Sequence, residues 1–187
     1  NLLDIFDLGN QSLSGTFPKT KNEKVNAGPV KLVKCFKKNQ LSVDVCGLVQ
    51  LKQTFDLNTM YGMNYGYRSG LNKSMVNHLE SKVSKILKLK ILKPGDVVVD
   101  IGSNDATTLR FYPKKKYELI GIDPTGIKFS SYYPKYIKLI PEFFTFKSLK
   151  KIIGKKKAKI ITSFAMFYDL EKPLEFVKEI SQSLDDN

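Results

Sequence analysis

Residues 97–123, VVVDIGSNDATTLRFYPKKKYELIGID, set two short β-branched runs on either side of a glycine turn and close the second run on a carboxylate. Val97 to Ile101 is apolar except for Asp100, the pattern of a strand covered on both faces of a parallel sheet. Gly102 has no Cβ, so the backbone can take positive φ, turn sharply and approach a ligand closely. Ser103, Asn104 and Asp105 follow with capping side chains, and the spacing predicts a helix start there with free backbone N–H groups. The second run, Tyr117 to Ile122, ends at Asp123. A carboxylate about twenty residues beyond such a turn can accept hydrogen bonds from both hydroxyls of a ribose. The loop holds one glycine, so the GxGxxG dinucleotide fingerprint is absent; this weighs against NAD and favours S-adenosylmethionine, which has no pyrophosphate to cradle. On these residues alone an ordinary βα turn without a ligand is the alternative.

The rest of the chain divides in character near residue 70. Before it, LLDIFDLG alternates like a strand, QSLSGTFPKTKNEKVNAGP is turn chemistry, and VKLVKCF and CGLVQLKQTF are further strand candidates. A small β-rich lobe is expected over 1–70. From Asn72, a plausible cap, Met75, Leu79, Val83, Ile86 and Leu87 recur on one helical face, with Lys93-Pro94-Gly95 as a stop. Beyond the glycine turn, strands are expected at Ile137 to Ile140 and Lys159 to Phe164, with helices at Phe146 to Ile153 and Pro173 to Leu184. Alternating strand and helix over 71–187 implies an α/β domain with a parallel sheet.

Composition adds looser bounds. The 187 residues are 42% hydrophobic and 26% charged, ordinary for a globular chain that can build a core. No apolar stretch approaches the ~20 residues of a membrane span, and no signal peptide opens the chain, so a cytoplasmic protein is expected. A net charge of +13 raises nucleic acid or an anionic substrate as partner. Lysines far outnumber arginines, however, and the densest run, Lys147 to Lys159, falls on a predicted helix and its exit loop. That is a solvated surface rather than a nucleic-acid face, which would interleave arginine forks with aromatics. Cys35 and Cys46 are two thiols in the β-rich lobe; a structural zinc site wants four N or S ligands, and no histidine is near them in sequence.

Several segments together resemble the S-adenosylmethionine-dependent C-methyltransferases that act on nucleotide-linked deoxysugars. They are DLGNQSLSGTF near the start, CGLVQL at 46–51, YGYRSGLNKSMVNHL at 65–79, VVVDIGSND at 97–105, GIDPT at 121–125 and ITSFAMFYDLEKPLEFV at 161–177. The resemblance implies a small N-terminal zinc lobe, a Rossmann-like class I methyltransferase domain and a C-terminal domain. Cys46 matches the last cysteine of the family's second zinc pair and Cys35 its partner. Here FKKNQLSVDV replaces the two-residue spacer, and the first pair would precede Asn1. The family's later Glu-His motif, resembling the source of the base, would lie beyond Asn187, so a piece that binds cofactor without turning over is expected.

By the same resemblance, Asp100, Gly102, Ser103, Asn104 and Asp105 match the methionine-side loop and Asp123 the ribose ligand, with Pro124 and Thr125 bordering the adenine. Ala106 stands where the family has glycine: tolerated if helical, crowding the cofactor if not. Glu142, Phe143 and Phe144 follow the third strand, where adenine is held, although two aromatics in series also suit a core. Phe164 to Asp169 face the transferred methyl, with Tyr168 and Asp169 alternatively opening a helix. Tyr65, Tyr67 and His78 are the candidate catalytic groups within the chain, and Arg68 a fork for a sugar-nucleotide phosphate. His78, on an apolar-flanked helical position, has a structural role as its alternative. The resemblance implies C-methylation of a keto-sugar nucleotide; an RNA or protein methyltransferase and a non-catalytic binding protein of the same fold remain as rivals.

Overall fold

The computed structural model describes residues 2–36, 45–62 and 65–186. Most of the FKKNQLSVDV insertion and Asn1 lie outside them. The chain separates into two compact units, Asn1–Gly66 and Tyr67–Asn187.

In the first unit, β1 (Leu2–Ser12), β2 (Ala27–Cys35) and β3 (Val49–Leu51) form an antiparallel sheet in that order, with Leu2 opposite Cys35 and Ser12 opposite Ala27. Register shifts between Asp4 and Phe6 and between Asp7 and Asn10 kink β1, whose residues are all exposed. CGLVQLKQTF contributes only the three residues of β3, paired with Leu32 to Lys34. A single-turn helix, α1 (Leu57–Met60), is capped by Asp56, which accepts from the Thr59 N–H.

The second unit opens with α2 (Lys73–Lys88), whose N-cap Asn72 accepts from the Ser74 and Met75 N–H groups. Leu79 and Val83 are its buried positions. Then follow β4 (Val97–Ile101), β5 (Glu118–Ile122), β6 (Ile137–Ile140), α3 (Phe146–Ile153), β7 (Ala158–Ser163) and α4 (Pro173–Ser183). The four strands are parallel in the order β6-β5-β4-β7. The chain winds outward from β4 through β5 to β6, then crosses to the other side of β4, as in doubly wound Rossmann-like sheets. The expected α/β class, a parallel sheet preceded by a small β-rich region, is the one observed.

Burial explains the unbroken apolar strands. Val97, Val99 and Ile101 of β4 join Ile120, Ile122, Ile140, Leu149, Ile153 and Phe176 under α3 and α4. Val98 turns the other way with Leu119 and Ile137, against Val83 of α2 and against Leu109, Tyr112 and Tyr117. Both faces are therefore covered, and each strand buries alternate side chains on opposite sides.

One expectation is corrected. No α-helix starts at Ser103: a chain of turns runs to a short 3-10 segment, Leu109–Phe111, because Asn104 and Ala106 take φ of +50° and +61°. Within the second unit, Arg68, Ser69 and Gly70 bond to Asp105 and Asn104.

Candidate cofactor site

The strand order reverses between β4 and β7, and open α/β sheets receive ligands outside the carboxyl ends of the strands at such a switch point. Gly102 ends β4 with φ of +73°. A Cβ there would stand 3.5 Å from the Met166 Cγ, so Met166, from the segment after β7, lines the turn. Ser163, the last residue of β7, pairs in register with Ile101. Its hydroxyl is buried with no hydrogen-bond partner among the described residues.

Asp123 follows β5 and is buried. Its Oδ2 accepts from the Asn104 N–H at 2.8 Å, and its Oδ1 from the Thr125 N–H and Oγ1 at 2.7 and 2.6 Å. A carboxylate offers about four lone-pair directions, so one remains. Tyr133 wedges under the same loop: its Oη lies 2.8 Å from the Ser103 Oγ and donates to the Asn104 carbonyl at 2.9 Å. Burial pushes this phenol well above its ordinary range.

Asp100 lies beneath the turn on the face of β4 opposite α3 and α4. The Thr162 Oγ1 donates to its Oδ1 at 2.6 Å, yet desolvation dominates and pushes its carboxyl up to about 7, with the Asp123 charge adding to the rise. Thr162 and Thr108 hydrogen bonds oppose the shift.

Asp105 is fully buried and bonds to the opening residues of the unit. It meets the Arg68 Nη1 at 3.2 Å, the Gly70 N–H at 3.1 Å and the Thr107 Oγ1 at 2.5 Å, with the Arg110 Nη2 4.0 Å away. The Arg68 guanidinium also lies 4.1 Å from the Tyr132 ring centroid. Arg68 is thus directed inward, not presented as an open fork.

The remaining sequence candidates scatter. Glu142 and Phe143 are exposed after β6, while Phe144 packs on Phe176 with ring centroids 5.6 Å apart, the core alternative for that aromatic. Pro124 opens a 3-10 turn beside Asp123. Phe164 is half-buried after β7, and Tyr168 is 76% exposed on the 3-10 segment Phe167–Asp169. Tyr67 belongs to the second unit, and its carbonyl accepts from the Asn104 Nδ2 at 3.1 Å. His78 is exposed on α2, so it is not a core histidine. Tyr65 lies in the first unit, where Gly15 approaches its ring.

Ser163, Tyr133 and Thr162 were not singled out by sequence: Tyr133 and Thr162 enter through contacts at long sequence separation, and Ser163 through its place at the end of β7, whereas Met166 falls within the segment 164–169 expected to face the transferred methyl. Cys35 and Cys46 are free thiols of the first unit. The Cys46 backbone N–H, then its side chain, hold the Cys35 thiol below its ordinary value, which places the two together. They supply half of a tetrahedral sulfur set, and no group of three or more His, Cys, Asp or Glu suited to a metal occurs among the described residues. No helix among those residues is long and apolar enough to cross a membrane.

No protein-family model and no curated protein matches the sequence. Among solved structures, the chain is similar to the plantazolicin methyltransferase BpumL in complex with a triazolic desmethylPZN analog and SAH, at 17% identity, covering 63% of this chain and 46% of that one, with a TM-score of 0.48. The BpumL complex with a pentazolic analog and SAH gives 17% identity, coverages of 59% and 42%, and a TM-score of 0.44. YjhP from E. coli gives 13%, 58%, 44% and 0.39 respectively. The chain spans under half the length of each of these structures. At such TM-scores the likeness has no weight, and the fold rests on the strand order itself.

Proposed function

We propose that this chain carries the cofactor-binding part of an S-adenosylmethionine-dependent methyltransferase. The observation that carries the reading is a matched pair of groups around the Gly102 turn: the buried Asp123 carboxylate at the end of β5 and the partnerless Ser163 hydroxyl at the end of β7. A ligand spanning the switch in strand order satisfies both.

When bound, the cofactor supplies an electrophilic methyl carbon; the protein supplies position and electrostatics. Asp123 accepts from a ribose hydroxyl, trading one of its present donors for the second. Pro124 and Thr125 border the base, and the exposed Phe143 and Glu142 lie at the end of β6 on the same rim. Gly102, Ser103 and Asn104 hold the methionine portion, with Asp100 fastened below them to Thr162. Phe164 stands after β7 on the side of the departing methyl.

The acceptor we propose is a keto-deoxysugar linked to a nucleotide, on the strength of the sequence resemblance. Tyr67 and Tyr168, exposed in the second unit, are its candidate contacts. Cys35 and Cys46 would supply two of the four ligands of a structural zinc site.

Calorimetric titration of S-adenosylhomocysteine tests the reading. Binding that Asp123→Ala weakens by about tenfold or more, the scale of a lost hydrogen bond to a charged group, supports it. No binding by the unaltered chain sinks it, and equal binding by Asp123→Ala removes Asp123 from the site.

A further inference from the structure

The opening residues of the second unit, Tyr67–Gly70, lie across the loop 102–108 as a strap, and the bonds between them run in both directions. The Asn104 Nδ2 donates to the Tyr67 carbonyl at 3.1 Å, while the Ser69 N–H donates to the Asn104 Oδ1 at 2.9 Å. The Arg68 Nη1 and the Gly70 N–H both reach the Asp105 Oδ2. Two adjacent loop side chains therefore grip four consecutive residues lying more than thirty positions earlier.

Each part fits this use. Gly70 must be glycine: a Cβ on it would stand 2.6 Å from the Asp105 Oδ2, closer than any real contact. Asp105 is fully buried, and a buried carboxylate needs compensation. The compensation comes from Arg68 on the strap, and from Thr107 and Arg110, which the Arg110 Nη2 to Thr107 Oγ1 bond of 2.7 Å ties together. Tyr132 backs the Arg68 guanidinium from the far side. The same loop reaches Asp123 through its Asn104 N–H, and φ of +50° at Asn104 sends that N–H and the Asn104 side chain to different partners.

We propose that Asp105 is a positioning residue that clamps the strap 67–70 to the glycine-turn loop, so that filling the loop and ordering the strap are one coupled event. The inference rests on the cofactor reading above, because it takes S-adenosylmethionine as the occupant of the loop. Asp105 touches neither the cofactor nor the acceptor; it acts through Arg68 and Gly70. Coupling of this kind is reciprocal, so a cofactor that steadies the loop protects the strap by the factor with which the strap tightens the cofactor.

The amides of Ser69 and Gly70 report the clamp directly, since each donates to a loop side chain. Their hydrogen exchange is followed by NMR in the unaltered chain with and without S-adenosylhomocysteine, alongside calorimetry on Asp105→Asn, Arg68→Ala, Arg68→Lys and Asp123→Ala. The expected result is roughly tenfold greater protection of both amides on binding, within the ordinary range of coupling between sites. Asp105→Asn and Arg68→Ala lose this protection and bind the ligand more weakly by the same factor, and Arg68→Lys recovers part of it. Where Asp105→Asn does not fold, Arg68→Ala carries the test. If the unaltered chain binds, Asp123→Ala abolishes binding, and Arg68→Ala frees the Gly70 amide without changing affinity, then the coupling is overturned and the cofactor reading stands. If the unaltered chain binds no S-adenosylhomocysteine, the cofactor reading fails and the coupling with it.

Discussion

β1 begins LLDIF and β4 reads VVVDI: two apolar runs of five, each interrupted by one aspartate, with opposite fates. Every residue of β1 is exposed, and Asp4 meets the Lys31 Nζ at 3.2 Å in solvent. Every residue of β4 is buried, and the partners of Asp100 among the described residues are the hydroxyl donors Thr162 and Thr108. β1 is the edge of an antiparallel sheet, whereas β4 is flanked by β5 and β7 and covered by helices on one face and by α2 and the turns on the other. Local composition proposes a strand; connectivity decides whether the strand meets water.

This contrast can be broken most forcefully at the carboxylates. Asp105→Ala strands Arg68 beside an emptied buried site and should cost about 3–5 kcal/mol, the scale of breaking a buried pair, whereas Asp4→Ala should stay within about 0.5 kcal/mol. Urea unfolding of both variants makes the comparison, and equal losses would show that the buried ion cluster is not the stronger anchor. Next in size, Ile120→Ala should lose about 2–5 kcal/mol by opening a cavity between the sheet and the helices α3 and α4, while Phe6→Ala on exposed β1 should lose little.

Asp100 sharpens the same point through pH. Its folded carboxyl titrates at about 7 against an ordinary value of 3.8. Between those values the native state holds a proton that the unfolded chain has released, so this group makes stability fall as pH rises from about 4 to 7, then level off. Its slope is at most about 1.4 kcal/mol per pH unit. Urea midpoints measured across that window should flatten in Asp100→Asn, and an unchanged slope would refute the assignment. A smaller effect is expected at Tyr112, whose buried hydroxyl has no partner among the described residues. Tyr112→Phe should raise stability by about 1 kcal/mol, read from the thermal midpoint. Smallest is Ala106→Gly, which relieves a left-handed alanine but removes a buried methyl; the net change should stay within about 1 kcal/mol.

The strands of the parallel sheet, α2 and its Asn72 cap were legible because each is written in contiguous periodicity. The segment after Gly102 was not. Its Ser, Asn, Asp and Thr side chains suit a helix cap, but the same side chains bond locally or reach across the fold, as Asp105 does to Thr107 and Asn104 to Ser69, and so compete with the helix. Arg68 read as a phosphate fork because a sequence shows a guanidinium without its counter-ion 37 positions away. Ser163 and Tyr133 were invisible for the same reason: nothing local marks a hydroxyl that acquires its role across the sheet.

The three bonds that already occupy Asp123 change the character of any ligand event there. Seating a diol on this carboxylate is an exchange, with the Asn104 amide or the Thr125 hydroxyl released as a sugar hydroxyl arrives. The first hydroxyl of a guest takes the open position and displaces nothing; a second, adjacent hydroxyl completes the swap, so a guest with one hydroxyl gains the smaller set of bonds. On the proposed cofactor reading the second hydroxyl is what sets a ribose apart, and a 2′-deoxy analogue should bind more weakly because it leaves the swap undone.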